Sequence, residues 1–224
     1  MYSITKLSCR YGDKIILDSI SFNIRQNKTL VILGPGGSGK STLLNYLHHE
    51  LPEPLTTTNE DYVFDKKILG YLTQKHTFTL NTFEEIFADE NFNLKEELKK
   101  IWNDKNTISL LSDHINTSLA DIPRPVLKLL ELTLFFTRHP DKEVLLLDEP
   151  EVSLHNDMSP LINKINSLNG EKTIIIVTHN VELAREVADD IMFLKYGEII
   201  RLSDKKSFLA SKNEQVKFLI ERGC

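Results

Sequence analysis

Residues 29–47 of the chain, TLVILGPGGSGKSTLLNYL, form the stretch around which the remaining sequence is organised. An apolar run at 30–33 predicts a buried strand, and the leucine-rich stretch at 43–47 predicts a helix with one apolar face. Between them lies a glycine-rich loop, and residues 34–41 match the phosphate-loop pattern G-x-x-x-x-G-K-[ST] at every fixed position. The order strand, loop, helix is the context that this pattern requires.

The residue types in this loop suit a bound polyphosphate. Glycines at 36, 37 and 39 let successive backbone N–H groups turn inward as an anion-binding nest, and the helix adds the positive end of its dipole. Lys40 supplies a positive charge for the β- and γ-phosphates, and Ser41 offers a hydroxyl group to a magnesium ion. The alternative is a glycine-rich turn that binds nothing, and it leaves the lysine and the serine unexplained.

Length and composition restrict the possible classes of protein. The chain has 224 residues, 41% of them hydrophobic, which suffices for one large domain or a domain with a small subdomain. The net charge of −5 is mixed along the chain, which argues against a nucleic-acid partner. No apolar run approaches the roughly 20 residues of a membrane span, and no signal peptide is visible, so we expect a cytosolic protein. Cys9 and Cys224 are expected to be free thiols.

The segments before and after the loop predict further elements. Alternating apolar residues between 4 and 24 indicate antiparallel strands, and Tyr11 precedes their turn, where it either stacks on a base or only packs the turn. Residues 51–62 are rich in proline and threonine and predict a surface loop. A short strand follows and ends at Gln74, whose amide oxygen could bind a metal or a water, or be merely solvated.

The middle of the chain predicts helices. Apolar residues at helical spacing among many charges between 81 and 116 indicate an inserted helical subdomain. Its aromatic side chains form a local core or line a ligand site, and its outer face could dock a partner. Pro125 then opens a strongly apolar helix over 126–136. The tail at 203–224 predicts one amphipathic helix.

Two further buried strands end in polar residues. In the sequence EVLLLDEP, Asp148 and Glu149 lie at the end of a predicted strand, and in TIIIVTH, His179 lies at the end of another. Ligands bind at the carboxyl ends of strands in parallel α/β sheets, and two carboxylates there need a cation or a reaction. We predict that Asp148 holds magnesium through water, Glu149 orients or deprotonates the attacking water, and His179 senses a γ-phosphate.

The order of these elements resembles the nucleotide-binding domain of ATP-binding cassette (ABC) ATPases, the motor subunits of ABC transporters. The resemblance covers nearly the whole chain and implies an α/β fold: a P-loop NTPase cassette with a RecA-like core, an N-terminal antiparallel β region and a small helical subdomain. We accordingly expect one domain over 1–224, with the helical subdomain at about 81–134.

The resemblance also implies roles for particular residues. Tyr11 looks like the adenine-stacking aromatic, Gln74 like the Q-loop glutamine and third magnesium ligand beside Ser41 and Asp148, and His179 like the switch histidine. Asp148 and Glu149 match the Walker B pair, and Glu149, His179 and Lys40 are the expected catalytic residues. The matching Walker A loop consists of Gly34, Pro35, Gly36, Gly37, Ser38, Gly39, Lys40, Ser41 and Thr42.

The chain departs from the family at two segments. Where the family signature LSGGQ opens a helix, residues 122–126 are IPRPV, and proline has no N–H to donate to the γ-phosphate of an opposite subunit. Arg124 could replace the missing donors, as an arginine finger does. The second departure, EPEVSLHN at 149–156, looks more like non-transporter ABC ATPases of DNA repair and phage defence.

These observations predict a Mg²⁺-dependent ATPase, the cytoplasmic motor subunit of an ABC transporter, peripheral on the inner face of the membrane. Its partners would be an integral membrane subunit and a second ABC ATPase subunit, and the altered signature favours a heterodimer over a homodimer. The alternatives are a DNA-processing ABC ATPase, disfavoured by the short helical insert and the absence of a basic surface, and an ATP-binding switch with little hydrolysis.

Overall fold

A computed structural model describes residues 1–58, 63–74, 94–154 and 157–223 of the chain. A short 3₁₀ helix, Lys66–Ile68, precedes the fifth strand. The strands of the described part are Tyr2–Tyr11 (β1), Lys14–Ile24 (β2), Thr29–Leu33 (β3), Leu55–Thr57 (β4), Leu69–Leu72 (β5), Val144–Asp148 (β6), Thr173–Thr178 (β7), Asp190–Lys195 (β8) and Glu198–Asp204 (β9). Its α-helices are Lys40–Leu47 (α1), Leu94–Ile101 (α2), Lys105–Asp113 (α3), Arg124–Arg138 (α4), Ser159–Leu168 (α5), Val181–Val187 (α6), Lys205–Leu209 (α7) and Glu214–Arg222 (α8).

The strands form two sheets. The larger has the order β5-β6-β7-β3-β8-β9, and only β9, a hairpin partner of β8, runs antiparallel to its neighbour. The smaller sheet, β2-β1-β4, is antiparallel, as the alternating N-terminal sequence predicts. Because the parallel strands all end at one edge, the residues that follow β3, β5, β6 and β7 converge there.

Two hydrophobic cores cover the two faces of the larger sheet. Successive residues of a strand point to opposite faces, so β3 sends Val31 and Leu33 into one core and Leu30 and Ile32 into the other. The first core joins the sheet to α2–α8, and the second joins it to α1 and the antiparallel sheet. This burial on both faces explains the uninterrupted apolar runs of β3, β6 and β7.

Several expected elements have different boundaries in the structure. The predicted surface loop contains β4, which pairs with the end of β1; its two threonines, one exposed and one half-buried, give no apolar pattern. The tail is not one helix but β9 followed by α7 and α8. Asp204 accepts from the Ser207 N–H at 3.0 Å, and Asn213 accepts from the Gln215 N–H at 2.9 Å, so each side chain starts a new helix.

The helical segment is described in part. Helices α2 and α3 lie within the predicted range and pack against α4, whereas residues 81–93 lie outside the described residues. The Trp102 indole N–H donates to Thr133 Oγ1 at 2.8 Å and links these helices to α4. The bounds of the subdomain and the single-domain assignment stay predictions. No helix in the described part of the chain combines the length and apolar composition that a membrane crossing requires.

Cys9 is buried in the antiparallel sheet as a free thiol, and burial raises its pKa. Cys224 lies outside the described residues.

Candidate nucleotide site

The phosphate loop begins where β3 ends, and packing fixes two of its glycines. A Cβ atom on Gly34 would lie 2.1 Å from the carbonyl oxygen of Leu194. Gly39 has a φ of +100°, and a Cβ there would lie 2.7 Å from Cδ2 of Leu17. By contrast, a Cβ on Gly36 would meet nothing within 4 Å. The chain alone therefore explains Gly34 and Gly39, and the close approach of a ligand is what would require Gly36.

Lys40 is buried with its ammonium group turned onto the loop itself. Its Nζ donates to the carbonyl oxygens of Gly34 at 2.6 Å and of Pro35 at 3.0 Å. Helix α1 begins after Gly39, which provides no side-chain cap for the N–H groups of the first turn. An ammonium group beside uncapped helix N–H groups is an electropositive arrangement suited to phosphate oxygens.

Ser41 and Asp148 bring oxygen ligands together from α1 and the end of β6. The Ser41 hydroxyl donates to the Asp148 carboxylate, whose Oδ1 is buried and has no partner in the described part of the chain. Burial raises the pKa of Asp148, partly opposed by the hydrogen bond from Ser41 and by the charges of Lys40 and Lys128. A hydroxyl and a carboxylate with an unused oxygen fit Mg²⁺, which prefers oxygen ligands and keeps several waters.

Glu149 receives contacts from two neighbouring strand ends. Gln74, two residues after β5, donates through Nε2 to Glu149 Oε2 at 2.7 Å. The His179 ring, directly after β7, lies with Nδ1 3.2 Å from Glu149 Oε1. The side chain of Glu149 is 16% exposed and that of His179 is 56% exposed, so the pair lies at the mouth of the site. A carboxylate held between an amide and an imidazole is suited to orient a water molecule.

The remaining predicted residues of the loop lie in or beside the nest. Ser38 is buried and donates from its N–H to the Pro35 carbonyl oxygen at 3.2 Å, whereas Gly37 is exposed. Thr42 is half-buried in the first turn of α1.

Tyr11 is 57% exposed at the end of β1. It belongs to the same hairpin as Leu17, the neighbour of Gly39.

The segment at 122–126 has a buried and an exposed side. Ile122 and Val126 are buried, whereas Pro123, Arg124 and Pro125 are exposed at the start of α4. Pro123 is the N-cap and gives no side-chain hydrogen bond to the helix. The exposed side therefore offers a guanidinium group where the family pattern has small residues.

The sequence did not single out Glu151 or Lys128, which are both buried and charged. Glu151 is 4% exposed and accepts a hydrogen bond from the Thr178 hydroxyl. Lys128 is 5% exposed, and its Nζ donates to Glu131 Oε2 at 3.1 Å. The spacing E-P-E after a buried strand was a usable signal for Glu151, whereas Lys128 carries none that separates it from a surface lysine.

A phosphate loop, two carboxylates and a histidine cluster at one edge of a mainly parallel sheet. This arrangement defines a P-loop nucleotide-binding cassette. The family model described as ABC transporter matches residues 17–152, and the chain belongs to this family. The predicted ABC-type fold and the ABC ATP-binding subunit class are thereby confirmed.

Curated relatives carry transport names. The chain is 32% identical to an ABC transporter ATP-binding protein of Pyrococcus horikoshii, over 87% of this chain and 80% of that protein. It is 27% identical to the arginine transport ATP-binding protein ArtM of Bacillus subtilis, over 99% of both chains. It is also 27% identical to the phosphate import ATP-binding protein PstB of Pseudoalteromonas translucida, over 95% of this chain and 85% of that protein.

A solved structure shares the fold. A bacterial Atm1-family ABC exporter with ATP bound superposes with a TM-score of 0.76 at 16% identity, over 96% of this chain. The chain spans 41% of the length of that exporter chain.

Proposed function

We propose that this chain binds ATP and hydrolyses it with Mg²⁺ as the motor subunit of an ABC transporter. The observation that carries the proposal is the convergence of the phosphate loop, Asp148, Glu149 and His179 at one edge of the sheet. These groups come from the ends of three parallel strands, β3, β6 and β7, so the arrangement depends on the fold and not on one local motif.

Binding would rest on the loop and Lys40. The nest and the Lys40 ammonium group would hold the β- and γ-phosphates, and Tyr11 would stack on the base. Ser41 and Asp148, with Gln74, would hold Mg²⁺. When bound, Mg²⁺ neutralises charge on the phosphate oxygens and so lowers the barrier to phosphoryl transfer.

Hydrolysis would depend on Glu149 and His179. Glu149 would align a water molecule in line with the γ-phosphorus and accept its proton as the bond to the bridging β,γ-oxygen breaks, giving ADP and inorganic phosphate. His179 would hold a γ-phosphate oxygen, and Gln74 would keep the Glu149 carboxylate in place between turnovers. Catalysis of this kind is mainly positioning and electrostatic stabilisation.

The partners follow from the transport role. The names of the relatives, an arginine and a phosphate transport ATP-binding protein among them, support an integral membrane partner. The chain would then lie in the cytoplasm, held on the inner face of the membrane by that subunit. A second ABC ATPase subunit with an intact signature would face the phosphate loop of this chain, in a heterodimer in preference to a homodimer.

One observation favours a second candidate, a DNA-processing ABC ATPase. The segment after Walker B carries Glu151, which belongs to the E-P-E pattern resembling enzymes of DNA repair and phage defence. Purification of the tagged chain from its own cell separates the two. An integral membrane protein in the complex supports transport, whereas a nuclease or reverse transcriptase supports the alternative.

Isothermal titration calorimetry with Mg·ATP tests the binding proposal. Lys40→Ala should weaken ATP binding by about 10- to 100-fold, because a charge-assisted hydrogen bond contributes about 1.5–3 kcal/mol. Lys212→Ala removes an exposed lysine between α7 and α8 and is the matched control. Absence of binding by the wild-type chain, or equal affinity in Lys40→Ala, would refute the proposal.

A further inference from the structure

Glu151 is a buried carboxyl group that the proposed hydrolysis does not use. It is the third acidic residue within four positions at the end of β6, and it is 4% exposed. A buried carboxyl group is costly unless a partner compensates it. Its Oε1 accepts a hydrogen bond from Thr178, and its Oε2 has no partner among the described residues.

The partner of Glu151 belongs to the segment that carries the proposed switch histidine. Thr178 is the fully buried last residue of β7, directly before His179. Its hydroxyl oxygen also accepts from the Asn180 N–H at 2.8 Å. Asn180 Oδ1 accepts in turn from the Leu183 N–H at 3.0 Å and caps α6. The Glu151 carboxyl group is thus connected to both residues that flank His179.

On its other side Glu151 belongs to a tight turn that contains Glu149. Glu149 has a φ of 47°, and Ser153 has a φ of 77°. A left-handed backbone is unfavourable for a residue with a side chain, so neighbouring contacts must hold it. The Glu149 N–H donates to the Val177 carbonyl oxygen at 2.9 Å, and the Leu154 N–H donates to that of Glu151 at 2.8 Å.

We propose that Glu151 is a positioning residue: its hydrogen bond with Thr178 clamps the turn of Glu149 to the strand end of His179, and so fixes the two proposed catalytic side chains relative to each other. The inference rests on the proposed ATPase function. Burial raises the pKa of Glu151, which agrees with a carboxyl group that serves as a hydrogen-bond partner and not as a charge for a ligand.

Three substitutions distinguish the effect of the hydrogen bond on hydrolysis from the effect of side-chain packing. Glu151→Leu keeps similar volume but removes the acceptor, and Glu151→Gln keeps an amide oxygen as acceptor. Thr178→Val removes the hydroxyl from the other partner at nearly constant shape. The double variant Glu151→Leu/Thr178→Val reports whether the two residues act as one unit.

The experiment is single-turnover hydrolysis of radiolabelled Mg·ATP with protein in excess, with calorimetric ATP affinity and thermal unfolding measured on each variant. We expect Glu151→Leu and Thr178→Val each to slow hydrolysis about 10- to 100-fold, the effect of a small misplacement of catalytic groups, with unchanged ATP affinity. The double variant should be no slower than the slower of the two single variants. Glu151→Gln should keep most of the wild-type rate. These changes should appear in variants that unfold cooperatively.

Several results would overturn the role of Glu151. Hydrolysis unchanged in Glu151→Leu, rates that multiply in the double variant, or Glu151→Gln as slow as Glu151→Leu would each do so. Slow hydrolysis caused only by weaker ATP binding or by unfolding would overturn it as well. Absence of hydrolysis in the wild-type chain would instead overturn the proposed function, and the positioning role with it.

Discussion

The carboxyl edge of the larger sheet and the exposed start of helix α4 are the two regions that the family resemblance assigns to phosphate contact, and they differ sharply. At the sheet edge, Lys40 and Asp148 are buried, and hydrogen bonds link Gln74, Glu149 and His179. At the start of α4, residues 123–125 are exposed, and two of the three are prolines without an N–H.

The packing beneath α4 shows that the helix itself is intact. Leu129, Leu130 and Leu132 are buried in the first core, and Trp102, the residue directly after α2, donates a hydrogen bond to the helix. The two regions therefore differ in the chemical groups that they expose, and not in the packing of the elements that carry those groups. The comparison agrees with the proposed two-subunit ATPase. In that proposal the chain contributes the phosphate loop and the residues after β6 and β7, here called the Walker side, and residues 122–126, here called the signature side. Four experiments can break or sharpen the comparison.

Glu149→Gln should have the largest effect, on the Walker side. If Glu149 is the proposed general base, hydrolysis should fall by about 100- to 10,000-fold, with ATP binding retained. Single-turnover ATPase and calorimetry measure the two properties. Glu143→Gln, exposed at the other end of β6, should leave both unchanged. Equal hydrolysis in wild type and Glu149→Gln would identify the chain as a nucleotide switch and not an enzyme.

The signature side should limit turnover of the chain on its own. Loss of one or two hydrogen bonds to the phosphates in each site of a homodimer costs about 2–4 kcal/mol, so steady-state turnover should be roughly a hundredfold below that with a partner bearing an intact signature. ATPase rates of the chain alone over a wide range of protein concentration, and of the chain mixed with such a partner subunit, measure this difference. Vigorous turnover that rises with dimerisation and collapses in Arg124→Ala, but not in Arg138→Ala, would instead make Arg124 the substitute donor.

Asp148→Asn should change stability in opposite directions with and without ligand. Since burial disfavours the Asp148 charge and leaves Oδ1 unpartnered, the nucleotide-free variant should gain about 1 kcal/mol of unfolding free energy. Mg·ATP should raise the melting temperature of the wild type much more than that of the variant. Thermal unfolding with and without Mg·ATP tests this, and exposed Asp113→Asn should behave like wild type. Equal stabilisation by Mg·ATP would rule out Asp148 as a magnesium ligand.

Trp102→Phe should have the smallest effect, in the scaffold below the signature side. The variant loses the hydrogen bond to Thr133, which contributes about 1 kcal/mol to unfolding free energy, and ATP affinity should not change. Urea unfolding of Trp102→Phe, Thr133→Val and the double variant measures the coupling. Strictly additive losses would show that this bond does not couple Trp102 to Thr133 of α4.

The buried half of the fold could be predicted from the sequence. Strands β3, β6 and β7 are covered on both faces, so their sequences are continuous apolar runs that no surface element imitates. Strand β4 gives no such signal, because its two threonines, Thr56 exposed and Thr57 half-buried, are both polar. The sequence predicts the tail as one helix because helical periodicity alone does not reveal the cap at Asn213. Capping depends on a single side chain, and one residue has little weight in a hydrophobic pattern that is read over a whole segment.

The candidate site could be predicted in part. Walker motifs bring their residue types together within a few positions, so Lys40, Asp148 and Glu149 are visible in the sequence, although their roles stay predictions. The contact between Gln74 and Glu149 joins residues 75 positions apart and exists only because β5 and β6 are neighbours. The Glu151–Thr178 bond depends in the same way on β6 lying beside β7.

The glycines of the phosphate loop differ in how freely they could be substituted in a relative that no longer binds a nucleotide. Gly34 is excluded from substitution by the Leu194 carbonyl oxygen, whereas nothing in the chain itself crowds Gly36. If a descendant lost the nucleotide, random substitution should reach Gly36 early, while Gly34 would persist for folding alone. A surviving first glycine is therefore no sign of a working enzyme, and a side chain at the position of Gly36 would be an early mark of lost activity.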